Sequence, residues 1–186
     1  MSQVRRRISE YVRSNPGVHF SAIVRELDLA TGQTQYHLRK LRRRGELTVE
    51  ERHGKTHYFG DGYDEWERRV LALLRRETDR AIVALVLEAG PIAPSRMAER
   101  LDVARSTIEW HLDRLTADEV LEKRYDANGR VSVDVVNREA TETLLATVDP
   151  GVADRLIDRF TRLVDDALSA GDATREGTAE STVDEG

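Results

Sequence analysis

Residues 30–41 read ATGQTQYHLRKL and residues 104–115 read ARSTIEWHLDRL, so one pattern occurs twice at an offset of 74 residues. The same offset aligns eight identical pairs across successive segments of the chain. A period this long exceeds that of solenoid repeats and indicates two copies of one small domain. The pairs are Ser21 and Ser95, Leu27 and Leu101, Asp28 and Asp102, Ala30 and Ala104, His37 and His111, Leu38 and Leu112, Leu41 and Leu115, and Leu47 and Leu121.

The first copy opens with helical periodicity. Apolar residues three and four positions apart predict a helix over about 2–14, which the turn Asn15-Pro16-Gly17 ends. The segment from Val18 to Phe20 is long enough only for a short strand. Ser21 can then cap a second helix, since its hydroxyl is able to accept from a free backbone N–H.

A third helix and a hairpin complete the first copy. The helix is predicted to start near Thr31 and to end at Gly45, a residue type that favours helix C-termini. From Leu47 onward the apolar period changes to two, which predicts a strand. Residues 52–55 form a turn, and residues 56–59 return as the second strand of a wing.

The second copy repeats this order. It begins with helical sequence at about 63–89, followed by a short strand at Ile92. Helices are predicted at about 95–102 and 105–117. A hairpin then turns at 126–129, where Asn-Gly between alternating apolar residues is a strong turn signal.

Residues 21–59 and 95–135 resemble the winged helix-turn-helix domains of archaeal and bacterial regulators of the ArsR and MarR type. The resemblance rests on the two patterns quoted above, each followed by Leu47 or Leu121 and a wing. It implies DNA binding and transcriptional regulation. Because winged helices also serve as protein-docking modules, the pattern is more specific for the fold than for the function.

The predicted fold class is mostly α with small β-hairpin wings (α+β), arranged as two tandem winged helix-turn-helix domains with C-terminal helices. Residues 1–60 form the first domain, which is basic and the main DNA reader, and residues 61–136 form the second. Residues 137–171 hold the C-terminal helices. Residues 172–186 are acidic and nearly without apolar side chains, which predicts a disordered tail.

The third helix of the first copy is the expected DNA reader. Leu38 and Leu41 must face the core, which turns Gln35, Tyr36 and Arg39 outward. The side-chain amide of Gln matches two adjacent hydrogen-bonding groups on adenine, and the guanidinium of Arg matches two on guanine. Thr31 and Gln33 stand at the start of this helix. The cationic side chains of the helix and the wing would lie against DNA phosphates. The predicted DNA-binding residues are Thr31, Gln33, Gln35, Tyr36, Arg39, Lys40, Arg43, His53, Lys55 and His57.

The second copy is a weaker reader by this reasoning. Glu109 and Asp113 occupy the places of Gln35 and Arg39 and would repel the DNA backbone. Secondary DNA contacts are still predicted at Arg105, Ser106, Thr107, Arg114 and Arg130.

Several of these residues have structural alternatives. The cations at 42–44 could simply offset the dipole of a helix end. Gly32 is either a turn residue or a clearance for the DNA backbone. His37 and His111, beside core leucines, are interpreted as structural histidines. Tyr36 and Trp110 are interpreted as covers for the edge of the core, with a direct DNA role as the alternative.

Net charge is −5, but its distribution favours a nucleic-acid partner for the first domain. Residues 1–60 carry +6, residues 61–146 carry −5 and residues 147–186 carry −6. The basic side chains are 26 Arg and 3 Lys against 34 acidic residues, a balance that resembles proteins of salt-loving archaea. A genome rich in G and C would also favour Arg.

Composition argues against several other classes. The chain has no cysteine, which excludes disulfides and thiolate metal sites. His53 and His57 lack a matched carboxylate in sequence, so no metal and no cofactor is expected. Ser, His and Asp form no nucleophile motif and no glycine loop cradles phosphate, so we predict no enzyme. Without an apolar run of spanning length, we expect a cytoplasmic, nucleoid-associated protein without membrane contact.

The C-terminal helices are the expected dimer interface. One helix should run from 137 to about 146, and Asp149-Pro150 opens another that lasts to about 170. Its apolar residues recur at three and four positions, as a helix-pairing seam requires. Packing back onto its own domain is the alternative. The predicted interface residues are Leu156, Phe160, Leu163 and Val164.

The sequence therefore predicts a homodimeric, sequence-specific regulator that binds double-stranded DNA. The alternative is a tandem winged-helix scaffold that docks other proteins, as in chromosome-associated complexes. The cations Arg39, Lys40 and Arg43 on the third helix argue against that scaffold. A small-molecule or protein effector is a third alternative, although nothing after Asn137 suggests a defined pocket.

Overall fold

The structure is a computed structural model that describes residues 2–151. Helices and short strands alternate along this part of the chain, as the predicted α+β class requires. In chain order the elements are α1 (Gln3–Ser14), β1 (Val18–His19), α2 (Phe20–Leu27), α3 (Thr31–Arg43), β2 (Thr48–Arg52), β3 (Lys55–Phe59), α4 (Glu65–Leu74), α5 (Glu77–Ala89), α6 (Pro94–Leu101), α7 (Arg105–Ala117), β4 (Leu121–Tyr125), β5 (Val131–Val135) and α8 (Arg138–Val148).

The first module, α1 to β3, encloses its own apolar core. Its three strands pair antiparallel in the order β1-β3-β2, with Val18 opposite Tyr58 and Thr48 opposite Phe59. The helices α1, α2 and α3 each contribute an apolar stripe to the core. The fully buried members include Ile8, Val12, Ile23 and Leu41.

The second module, α5 to β5, repeats the first. The helices α3 and α7 cover positions exactly 74 apart, and α1 and α5 begin 74 apart. Ile92 forms an isolated bridge to Val133, in the place where β1 pairs with β3 in the first module. The repeat seen in sequence from Ser21 onward thus extends back to α1.

Both modules turn between their second and third helices through an aspartate. Asp28 has φ +50° and Asp102 has φ +51°, which is the left-handed conformation. Asp adopts this conformation more readily than most residues because its short side chain bonds locally. The Leu-Asp pair that both copies share therefore ends the second helix of each module and sets the direction of the third.

The helix α4 lies between the modules. Five consecutive residues, Val70 to Leu74, are at most 1% exposed. A segment of helix that is apolar on every side must be covered on every side. One cover is the turn after α1: the Arg75 guanidinium donates to the Pro16 carbonyl at 2.9 and 3.0 Å, and Gly17 lies against the backbone of Leu71.

The cap of α2 differs from the prediction. The N-cap is His19, whose Nδ1 accepts from the Ala22 N–H at 3.2 Å. Ser21 is already inside the helix, and its hydroxyl bonds the same His19 nitrogen. At the other predicted cap, Gly45 follows α3 with φ +70°, as expected.

The C-terminal helix α8 packs against α4 and α5 and buries Leu144 and Leu145. The predicted seam of Leu156, Phe160, Leu163 and Val164 and the predicted acidic tail lie outside the described residues. Within residues 2–151, no helix is long and apolar enough to cross a membrane.

Candidate nucleic-acid interface

Helix α3 has one buried and one exposed face. Leu38 and Leu41 lie in the core at 3% and 0% exposure, and Thr34 and His37 are buried with them. At helical spacing, this turns the positions between them outward. Gln35, Tyr36 and Arg39 are accordingly exposed.

Tyr36 carries a cation on its ring. The Lys40 ammonium lies 4.7 Å from the ring centroid, one helical turn away. Hydrogen bonding to Lys40 and its charge lower the pKa of the Tyr36 hydroxyl. The ring is 51% exposed, so it does not cover the edge of the core as predicted; it stands at the surface beside Gln35 and Arg39.

His57 does not occupy the position expected of a phosphate contact. Its side chain is 1% exposed because it points into the first module from β3. The Nδ1 atom bonds the Gly17 carbonyl at 2.7 Å. Burial lowers the pKa of the His57 imidazole. This histidine is therefore a core residue, and the predicted wing contact at His57 is wrong.

The turn of the first wing is anchored to the second module. His53 Nε2 lies 2.8 Å from Asp118 Oδ2, and the Arg76 guanidinium donates to the His53 carbonyl at 2.9 Å. Arg52 approaches Asp118 at 3.8 Å. His53 therefore does have a carboxylate partner, Asp118, which lies 65 residues away along the chain. Lys55, on the opposite strand of the wing, remains exposed.

Arg114 is engaged inside the second module. Its guanidinium bonds both oxygens of Asp79, at 2.9 and 2.8 Å, and lies 4.2 Å from the centroid of the Trp110 ring. His111 Nδ1 contacts the same carboxylate at 2.5 Å. The Arg114 side chain is only 11% exposed, so the predicted secondary DNA contact at Arg114 is wrong: the side chain neutralises a buried charge.

The outer face of α7 is also occupied by internal ion pairs. Lys123 on β4 reaches Glu109 at 3.3 Å and Asp113 at 3.6 Å. These two carboxylates stand where α3 has Gln35 and Arg39. Trp110 between them is 59% exposed and, like Tyr36, does not cover the core.

The remaining predicted contacts lie mostly at the surface. In the first module, Lys40 is half-buried, and the residues Thr31, Gln33, Gln35, Tyr36, Arg39, Arg43, His53 and Lys55 are exposed. In the second, Thr107 is half-buried, and Arg105, Ser106 and Arg130 are exposed. His37 and His111 are 7% and 8% exposed.

The wing anchor was missed by sequence reasoning. Asp118 and Arg76 lie far from His53 along the chain, and neither stands in a motif. No signal in one sequence marks such a contact. Among residues 2–151, no group of three or more His, Asp or Glu side chains is placed to hold a metal ion.

Two family models match the chain. A model described as an N-terminal HTH domain matches residues 2–71, and a model described as winged helix-turn-helix DNA-binding matches residues 67–122. No curated protein matches the chain. Neither matched family is a family of enzymes.

Several solved structures are similar to part of this chain. An ArsR-like transcriptional regulator from Rhodococcus sp. RHA1 is 25% identical, covering 63% of this chain and 95% of its own, with a TM-score of 0.36. The transcriptional regulator BldR from Sulfolobus solfataricus is 17% identical, covering 83% and 96%, with a TM-score of 0.34. Reduced AbfR bound to DNA is 8% identical, covering 74% and 93%, with a TM-score of 0.38.

Two family matches, one over each module, coincide with two helix-turn-helix units that each carry a β-hairpin. The chain carries two winged helix-turn-helix modules in tandem, and the family model that matches the second is one of winged helix-turn-helix DNA-binding domains.

Proposed function

We propose that the chain is a sequence-specific transcriptional regulator whose first module reads DNA through α3. One observation carries the proposal: Gln35, Tyr36 and Arg39 stand side by side on the exposed face of a helix whose other face is fixed in the core. A helix fits the major groove of B-DNA, and its outward side chains then meet base edges.

The side chains on this face suit base recognition. The Gln35 amide can bond adenine at two atoms, and the Arg39 guanidinium can bond guanine at two. Each such pair contributes about 1–3 kcal/mol of discrimination against the wrong base. Thr31 and Gln33, at the start of the same helix, extend the reading surface.

Phosphate contacts would fix this helix in the groove. Arg43 and Lys55 are exposed and have no ion-pair partner among residues 2–151. Lys40 adds a third cation beside Tyr36. In the second module Arg105, Ser106, Thr107 and Arg130 would add secondary contacts, because the carboxylates of α7 are held by Lys123.

We further propose that the protein acts as a homodimer, without enzymatic activity, on DNA in the cytoplasm. The domains would be 1–60 and 61–136, with the seam at 156–164 joining two chains. Two first-module helices would then enter half-sites roughly 34–36 Å apart, or a multiple of that distance.

The test of the reading surface is the double substitution Gln35→Ala with Arg39→Ala. A target duplex is first selected from random sequences with the unmodified protein. The double variant should keep its fold and bind target and random DNA equally, since phosphate contacts remain. The matched control, Glu109→Ala with Asp113→Ala on α7, should retain the preference. Unchanged discrimination by the double variant would refute the assignment to α3.

The dimer has its own test. Phe160→Asp with Leu163→Asp should give a monomer by light scattering, and a surviving dimer would place the interface elsewhere. The rival function, a scaffold that docks other proteins, predicts that the unmodified protein ignores duplexes at every salt concentration.

A further inference from the structure

The two modules differ at one buried position. At the 74-residue offset, Arg5 on α1 stands where α5 has Asp79, while His37 and His111 are the same residue type. Asp79 is 0% exposed and holds both His111 and Arg114. The second module therefore carries a complete internal ion pair at the junction of its first and third helices.

The first module has only the basic half of that arrangement. Arg5 and His37 are each 7% exposed, and Lys40 stands in the place of Arg114. Arg5 Nε and His37 Nδ1 are buried atoms without a hydrogen-bond partner. No carboxylate within residues 2–151 pairs with Arg5 or Lys40.

The three groups meet where α1 packs against α3: Arg5 lies on α1, and His37 and Lys40 are three residues apart on α3. Burial and then the charges of Arg5 and Lys40 lower the pKa of His37. The charge of Arg5 also acts on Tyr36, whose ring lies under Lys40. A buried cation with an unsatisfied donor and no counter-charge is costly for a fold. An arrangement of this kind is complete only when an anion joins it.

We propose that Arg5, His37 and Lys40 form an anion site that takes one phosphodiester of the DNA backbone. The site lies beside the reading surface. Lys40 follows Arg39 in α3, and its ammonium lies on the ring of Tyr36, which is next to Gln35. Arg5 and Lys40 donate to the phosphate oxygens, and His37 adds a third donor through Nδ1 in the tautomer that is protonated there. This inference rests on the proposed function and adds Arg5 of α1 to the DNA contacts proposed for α3.

The arrangement also explains why the modules are unequal. In the second module the carboxylate of Asp79 already supplies the negative charge beside His111 and Arg114. Only the first module can accept a backbone phosphate there. The sequence carries a sign of this difference, because Arg5 and Asp79 have opposite charges at equivalent positions of the internal repeat.

The test measures affinity for the selected duplex against salt concentration. Arg5→Met keeps the length of the side chain and removes the charge. Its affinity should fall about 10-fold near physiological salt, and the slope of log affinity against log salt should shrink by about 1. The control is Arg6→Met, on the exposed side of α1 at 3.8 Å from Glu10, which should change both quantities little.

A second variant separates DNA binding from folding. Arg5→Asp places a carboxylate beside His37 and Lys40, as in the second module. It should melt at or above the temperature of the unmodified protein and still bind DNA more weakly than Arg5→Met. If Arg5→Asp and Arg5→Met both fail to fold, Arg5 is a structural residue and the inference is wrong.

Other outcomes are equally decisive. If the unmodified protein binds the duplex and Arg5→Met binds it with the same affinity and slope, the phosphate site is wrong while the proposed function stands. If the unmodified protein binds no duplex, the proposed function fails first. If inorganic phosphate raises the melting temperature through Arg5 but the DNA slope does not depend on Arg5, the site holds a free anion and the assignment to DNA is overturned.

Discussion

His53 Nε2 at the tip of the first wing lies 2.8 Å from Asp118 Oδ2 at the end of α7. The contact joins the wing of one module to the third helix of the other. The Trp66 indole, on α4, donates to the Glu119 carbonyl at 3.0 Å nearby. The orientation of the first wing is therefore set by the second module, which is the weaker DNA reader in the proposed function.

Removal of this anchor should loosen the wing. In Asp118→Ala, amide hydrogen exchange at residues 52–55 should accelerate, and affinity for the selected duplex should fall a few-fold through poorer placement of Lys55. Asp113→Ala, an exposed change on the same helix, is the control. Unchanged exchange in Asp118→Ala would mean that the wing is held by its own hairpin.

The carboxylate of Asp79 should be essential for stability. Asp79→Ala leaves Arg114 as a buried cation without its partner, and removal of one member of a buried pair costs about 3–5 kcal/mol. Denaturant unfolding measures this loss. The double variant Asp79→Leu with Arg114→Met should recover most of it, since no charge is then left unpaired. A loss below about 1 kcal/mol in the single variant would contradict the prediction.

Stability should fall as the pH is lowered through the range where free histidine titrates. Burial lowers the pKa of His57 below its usual 6.5, so the unfolded chain takes up a proton that the folded chain does not. The unfolding free energy should be flat above about pH 7.5 and fall below about 6.5, by up to about 1.4 kcal/mol per pH unit for one proton.

The variant His57→Gln, which keeps a donor for the Gly17 carbonyl, should flatten this dependence. His19 and His37 also have lowered pKa values, so some dependence should remain. An identical pH profile for the variant would show that His57 takes up its proton in the folded state as well.

Two glycines should respond in opposite directions to alanine. Gly17 has φ +78°, and a Cβ there would meet the Leu71 backbone at 3.3 Å, so Gly17→Ala should cost about 1–3 kcal/mol. Gly32 has open space around it, and Gly32→Ala in helix α3 should add about 0.5–1 kcal/mol. Thermal unfolding measures both.

Gly32 lies inside α3 and not in the turn before it, so the interpretation as a turn residue is wrong. Gly32→Ala tests the other interpretation. Lower affinity for DNA in a more stable protein would indicate clearance for the DNA backbone, and unchanged affinity would mean that the DNA does not need this space.

Local patterning was enough to predict most of the fold. The apolar spacing of Leu38 and Leu41, the Asn-Gly turn and the repeat at 74 residues each act over short distances or between similar segments, and each led to the observed element. The fold class and the tandem winged helix-turn-helix arrangement are confirmed. The cap at Ser21 was misplaced because His19, one residue before the helix, supplies the acceptor.

Errors at the candidate site have a different cause. His57 and Arg114 were assigned to DNA because each is a basic residue on a wing or third helix. Their partners, the Gly17 carbonyl and Asp79, lie 40 and 35 residues away. A single sequence does not show which basic side chains find a partner inside the fold. Burial and pairing, and not the residue type alone, determine which of them are free to contact DNA.

The buried helix α4 limits how this protein can be regulated. Because Val70 to Leu74 are covered on all sides and Arg75 is tied to Pro16, the two winged units have no free hinge between them. A change in their relative angle would have to break the Arg75–Pro16 and His53–Asp118 contacts together. Under the proposed function, control of DNA occupancy would therefore act through association of chains or through blockage of the exposed face of α3, and not through a scissor-like motion of the modules.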